Sequence, residues 1–115
     1  MLKKKNIILE KSFEFALKII EFSEILQERK QFVIANQLMK SGTSIGANIW
    51  EAQNAESKMD FIHKIKISAK EADETEYWLL LCKFSKNYPD TTELIISIKE
   101  LQRILNKIIY SSKTK

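Results

Sequence analysis

The chain has two glycines and one proline in 115 residues. That scarcity limits its fold more than any other feature. Sheets and barrels need turn residues at intervals of roughly 8–12 positions, whereas long helices need few breakers. Both glycines fall inside "SGTSIGANI", Ser41 to Ile49, where the flanking apolar spacing is helical. A phosphate-binding loop would need G-x-x-x-x-G-K-[ST] after a strand. Here the spacing is one residue short, no lysine follows, and no strand pattern precedes. Gly42 and Gly46, with Ser41 beside them, read instead as helix-packing residues that leave a notch for a neighbouring helix. Each glycine costs about 1 kcal/mol of helix propensity relative to alanine, which close packing must offset.

Apolar periodicity predicts four helices, over about 6–29, 32–55, 58–87 and 91–111, in a single domain spanning 1–115. Short connections between long helices give an all-α, antiparallel up-down-up-down four-helix bundle. On the first helix Leu9, Phe13, Ala16, Leu17 and Ile20 form the predicted core stripe. Ile8, Phe15, Ile19, Phe22 and Leu26 form a second stripe behind it. Ile34, Leu38, Ser41, Gly42, Ile45, Ile49 and Ala52 face inward on the second helix. "SKMD", from Ser57 to Asp60, is a capping-box pattern opening the third, and Asp90 with Glu93 plays that part for the fourth. The third helix turns Phe61, Ile65, Ala69, Ala72 and Leu79 inward; the fourth turns Leu94, Ile98, Leu101, Leu105 and Ile108. Glu76 falls inside the third helix's apolar stripe, which predicts a buried carboxylate partnered by Asn48, Ser41 or Ser44 on the second, a polar contact that sets register.

Chemistry is sparse. His63 makes an Asp-x-x-His pair with Asp60, but a carboxylate-bridged metal pair in a bundle needs two such pairs. Cys82 follows an apolar run with no histidine one turn away, so it reads as a buried thiol. Glu71, Asp73, Glu74 and Glu76 diverge around their helix. We therefore expect no catalytic group, no metal site and no cofactor. A lone cysteine and no apolar signal region after the first lysines suggest a reducing cytoplasm, and no apolar run approaches the roughly 20 residues that span a bilayer. The net charge of +4 points only weakly to an acidic partner. Lys58, Lys64, Lys66 and Lys70 near His63, with Lys40 on the second helix, are the candidate nucleic-acid contacts. Solvated charge is the plainer alternative, since Lys70 and Glu74 are spaced for an intrahelical pair.

The run from Gln37 to Leu81, carrying "SGTSIGANI", "EA", "DFI" and "KEADETEYWL", resembles the core of the four-helix bundle proteins encoded by intervening sequences of bacterial 23S ribosomal RNA genes; "KSFEFALKII" near the start also fits. The resemblance implies a cytoplasmic, non-enzymatic bundle that assembles into a ring, usually of five subunits, and associates with ribosomal RNA. A related branch, the accessory variability determinant of diversity-generating retroelements, binds nucleic acid and a reverse transcriptase through a basic surface. Two functions stay open: an RNA-associated homo-oligomer, or a protein-binding scaffold without nucleic-acid contact.

Independent of the resemblance, the apolar surface exceeds what one bundle core requires. A helix in a monomeric bundle needs one apolar face, yet the first has two, the second adds Phe32, Met39 and Trp50 on a flank, and "YWLLL", Tyr77 to Leu81, is apolar nearly all round. Phe15, Phe22, Leu26, Trp50 and Trp78 are the expected interface residues.

Overall fold

Residues 6–113 are described by the structure, a computed structural model. They form α1 (Ile7–Glu28), α2 (Phe32–Ala52), α3 (Lys58–Phe84) and α4 (Thr92–Lys113), with no strand among them. Each helix packs on two others, α1 on α2, α2 on α3, α3 on α4 and α4 on α1, and the diagonal pairs stay apart. Contacts between ends show that neighbours run antiparallel. Asn6 before α1 donates to Gln53 just after α2, and Lys64 early in α3 meets Glu51 late in α2. Gln102 in α4 reaches back to Asp73 and Glu76 in α3.

Local chemistry sets the ends. Asn6 caps α1, its Oδ1 accepting from the Leu9 N–H at 3.2 Å. Ser57 Oγ accepts from Asp60 N at 3.0 Å, while the Asp60 carboxylate accepts from Glu56 N, one residue before the cap. At the next junction Asp90 Oδ1 accepts from the N–H and the hydroxyl of Thr92. This local hydrogen bonding holds the Asp90 carboxyl below its ordinary value; Glu93, the expected capping partner, contributes no hydrogen bond there. α1 ends in a Schellman-type turn, with Lys30 N–H donating to Gln27 O and Gln31 N–H to Leu26 O. The left-handed position is Lys30, at φ 60, where a glycine would be at ease. Asn87, at φ 71, serves the α3–α4 connection, and its carbonyl accepts from the Arg29 guanidinium and from Gln31 Nε2. These contacts tie the two turns at that end of the bundle together.

Gly42 and Gly46 lie where α2 crosses α1. A Cβ at position 42 would stand 2.9 Å from both Cγ atoms of Ile19, and one at 46 would stand 3.3 Å from the Ser12 carbonyl oxygen. Ser41 points the other way, to α3. Its buried hydroxyl meets Thr75 Oγ1 at 2.9 Å, while Ser68 Oγ donates to Ile45 O at 2.9 Å. Two buried hydroxyl contacts therefore set the α2–α3 register, and Glu76 does not take part. Glu76 faces α4, with its side chain 18% exposed; it pairs with Lys99 and accepts from Gln102. Those contacts hold its carboxyl below the ordinary value. Asn48 is half-buried and donates to Ser44 O within its own helix, so the expected Glu76–Asn48 contact is absent. The expectation failed because Ala69 and Leu80, which widen α3's apolar stripe, lie on its α4 flank and are only half-buried.

The two stripes of α1 are exchanged relative to expectation. Ile8, Phe15, Ile19, Phe22 and Leu26 are all buried, whereas Leu17 is 50% exposed. Phe15, Phe22 and Leu26 are therefore core residues and cannot serve as an interface. The charges of α1 explain the reversal. Leu17 shares its side of the helix with Glu10 and Glu24, each seven residues away, and with Glu28, eleven away, and charges on that side keep it out of the bundle core.

Candidate assembly interface

The exchange moves the outward apolar stripe to the seam between α1 and α2. There Leu9, Phe13 and Ala16 of α1 face Thr43, Gly46, Ala47 and Trp50 of α2 across a concavity of about 250 Å³. Gly46 brings the two backbones together at its floor, since a Cβ there would stand 3.3 Å from the Ser12 carbonyl oxygen. None of the lining residues is ionisable. Phe32, Leu17 and Trp50, each about half exposed, extend the apolar surface along both helices.

The other three seams are different in kind. An ion pair crosses each of them: Lys11–Glu100 between α1 and α4 at 3.3 Å, Lys64–Glu51 between α2 and α3 at 3.0 Å, and Lys99–Glu76 between α3 and α4. Among the described residues no ion pair crosses the α1–α2 seam. A contiguous exposed apolar patch on a protein surface marks an interaction site, a ligand groove or an aggregation liability.

A second apolar cluster lies elsewhere. Tyr77, Leu81 and Phe84, at i, i+4 and i+7 on the back of α3, are 57%, 37% and 80% exposed. Trp78 turns aside, half-buried, with its indole N–H donating to Glu74 and its ring edge-on to Tyr77. Of the two tryptophans singled out from the sequence, Trp50 lies in the uncharged seam and Trp78 packs within its own chain.

The five candidate lysines do not converge. Lys64 is engaged by Glu51, and Lys40 on the same flank lies near Glu71, whose carboxyl is raised chiefly by burial, then by Glu74, with Lys40 opposing. Lys66 and Lys70 project from the back of α3, exposed and, among the described residues, without an ion-pair partner, and Lys58 borders α4. His63 is exposed. Cys82 is buried, and burial pushes its thiol up to about 11. Among the described residues no group of three or more His, Cys, Asp or Glu is placed to hold a metal ion, and no helix is long and apolar enough to cross a membrane.

Fold and surface together define a small helical bundle with ion pairs across three of its seams and an apolar concavity in the fourth. Residues 4–108 match the 23S rRNA-intervening sequence protein family, and the chain belongs to that family. A solved structure from Bacteroides thetaiotaomicron VPI-5482, a protein with unknown function from the S23 ribosomal protein family, is similar at 41% identity and a TM-score of 0.84, over 89% of this chain and 97% of that one. No curated protein matches the chain.

Proposed function

We infer that this protein is a non-enzymatic assembly unit whose copies associate through the α1–α2 seam, in the ring of five that the family resemblance implies. The observation that carries this reading is an apolar concavity with no ionisable lining residue on the one seam that no ion pair crosses among the described residues, when each of the other three is bridged by an ion pair. A concave seam and a convex cluster at Tyr77, Leu81 and Phe84 are unlike surfaces on one chain. Unlike surfaces make heterologous contacts, which close into a ring when the rotation permits. The test is a pair of double variants. Leu17→Asp with Trp50→Asp places charge on half-exposed positions and should give folded monomers. Phe15→Asp with Phe22→Asp buries charge in the core and should unfold the chain instead. If the first pair stays assembled, the seam is not the contact.

A second reading, association of the assembly with ribosomal or other structured RNA in the cytoplasm, is favoured by the charge of α3. Its first half carries Lys58, Lys64, Lys66 and Lys70 against Asp60, and its second half carries Glu71, Asp73, Glu74 and Glu76 against Lys83. Repetition around a ring would multiply that basic half. Replacing Lys66 and Lys70 by Glu should weaken binding of a structured RNA and reduce its log–log salt slope by about one per lost phosphate contact. An unchanged slope leaves both as solvated charges, and RNA binding that is absent at low salt favours the protein scaffold.

A further inference from the structure

At the end of the bundle where α3 begins and α4 finishes, a cleft of about 540 Å³ opens between the two helices. That volume lies within the roughly 300–1,000 Å³ range of small-molecule sites. Its floor is apolar: Phe61, Ile104 and Ile108 are half-buried and packed against the core. Its rim carries Lys58 from α3 and Lys107 from α4, both exposed, and neither pairs with a carboxylate among the described residues. Among the described residues no carboxylate lines the cleft; of the two nearest Lys58 in sequence, Asp60 is engaged by the Glu56 N–H and Glu56 is exposed outside the lining.

Backbone electrostatics act in both directions here. Ser57 Oγ satisfies the N–H of Asp60, and among the described residues the N–H groups of Lys58 and Met59 at the positive end of α3 have no acceptor. The terminal carbonyls of α4 oppose this with negative partial charge. Two whole ammonium charges outweigh the half charge of one helix end, so the rim is positive over an apolar floor. A molecule complementary to both parts has a single anionic head and an apolar body. A nucleic-acid backbone supplies the anion without the body.

We propose that this cleft binds a free amphipathic anion, such as a medium-chain carboxylate, with its head between Lys58 and Lys107 and its chain over Phe61, Ile104 and Ile108. The test is titration calorimetry of the full chain with sodium decanoate below its micelle concentration at low ionic strength, with Lys58→Gln plus Lys107→Gln, and Leu17→Asp plus Trp50→Asp, as variants whose helicity is checked by circular dichroism. We expect one decanoate per chain, affinity at least about tenfold weaker in the lysine variant and for uncharged decanol, and unchanged affinity in the seam variant. No binding by about 1 mM decanoate, or equal binding by the lysine variant, overturns the proposal. Loss of binding in the seam variant also overturns it, by moving the ligand to the α1–α2 face. Co-sedimentation with phosphatidylglycerol vesicles without binding of free decanoate would assign the two lysines to a membrane surface and overturn it equally.

Discussion

Replacing Gly42 by alanine sets two effects of known sign against each other. In an open helix the change stabilises by about 1 kcal/mol, because glycine is the poorer helix former. Here the added Cβ would stand 2.9 Å from both Cγ atoms of Ile19, against a carbon–carbon optimum of roughly 3.5–4.0 Å. Ile19 is fully buried and β-branched, so it has no alternative rotamer to retreat into, and relief requires α1 to move off α2 by several tenths of an ångström. Overpacking of this kind costs about 1–3 kcal/mol. With the propensity gain subtracted, Gly42→Ala should destabilise by about 1 kcal/mol, read from the urea midpoint at fixed protein concentration, since association adds its own stability. Ile19→Ala alone should cost about 2–5 kcal/mol as a cavity. In the Gly42→Ala background it should cost less by at least about 1 kcal/mol, because it removes both atoms that clash. A Gly42→Ala variant more stable than the wild type, with additive behaviour in the cycle, would refute the close-approach role of this glycine.

Lys30 occupies a left-handed position that glycine adopts freely, so Lys30→Gly should raise stability by about 0.5–1 kcal/mol in denaturant unfolding; the same change at Asn87 should do less, because asparagine tolerates that conformation. Lys99 and Gln102 hold the Glu76 carboxyl below its ordinary value of 4.5 in the folded chain, so its stabilising contribution is present above about that pH and is lost as pH falls through the lower folded value. The stability difference between wild type and Glu76→Gln should therefore shrink on acidification below pH 4.5, and a pH-independent difference would contradict the assignment. Burial raises the Cys82 thiol to about 11, so iodoacetamide at pH 8 should label it only on unfolding, with a rate in native buffer at least about 100-fold below that in denaturant.

Much of the architecture was legible because the helices are long and poorly interrupted. α4 could be read outright: its charged residues Lys99, Arg103 and Lys107 leave a single apolar direction. α1 could not be read from apolar spacing, since both stripes have the right period; only the placement of Glu10, Glu24 and Glu28 distinguishes the side that lies outside the core, and that signal was in the sequence. The glycines could be placed within α2 but not aimed, because their direction depends on which neighbour crosses there. Glu76 shows the limit of angular counting, since a carboxylate at the edge of a stripe finds its partner on whichever helix packs against that edge, here α4. The seam itself was invisible: Leu9, Phe13 and Ala16 look like core residues until Gly46 and Trp50 are set opposite them.

Whether another copy of the chain covers the apolar α1–α2 seam is decided by the mass in solution. Size-exclusion chromatography with light scattering at micromolar concentration should give a single species at a multiple of the 13.5 kDa chain mass, with five copies as the multiple expected from the family resemblance. A homogeneous 13.5 kDa species under those conditions would mean that the seam stands open to water, and would contradict the account.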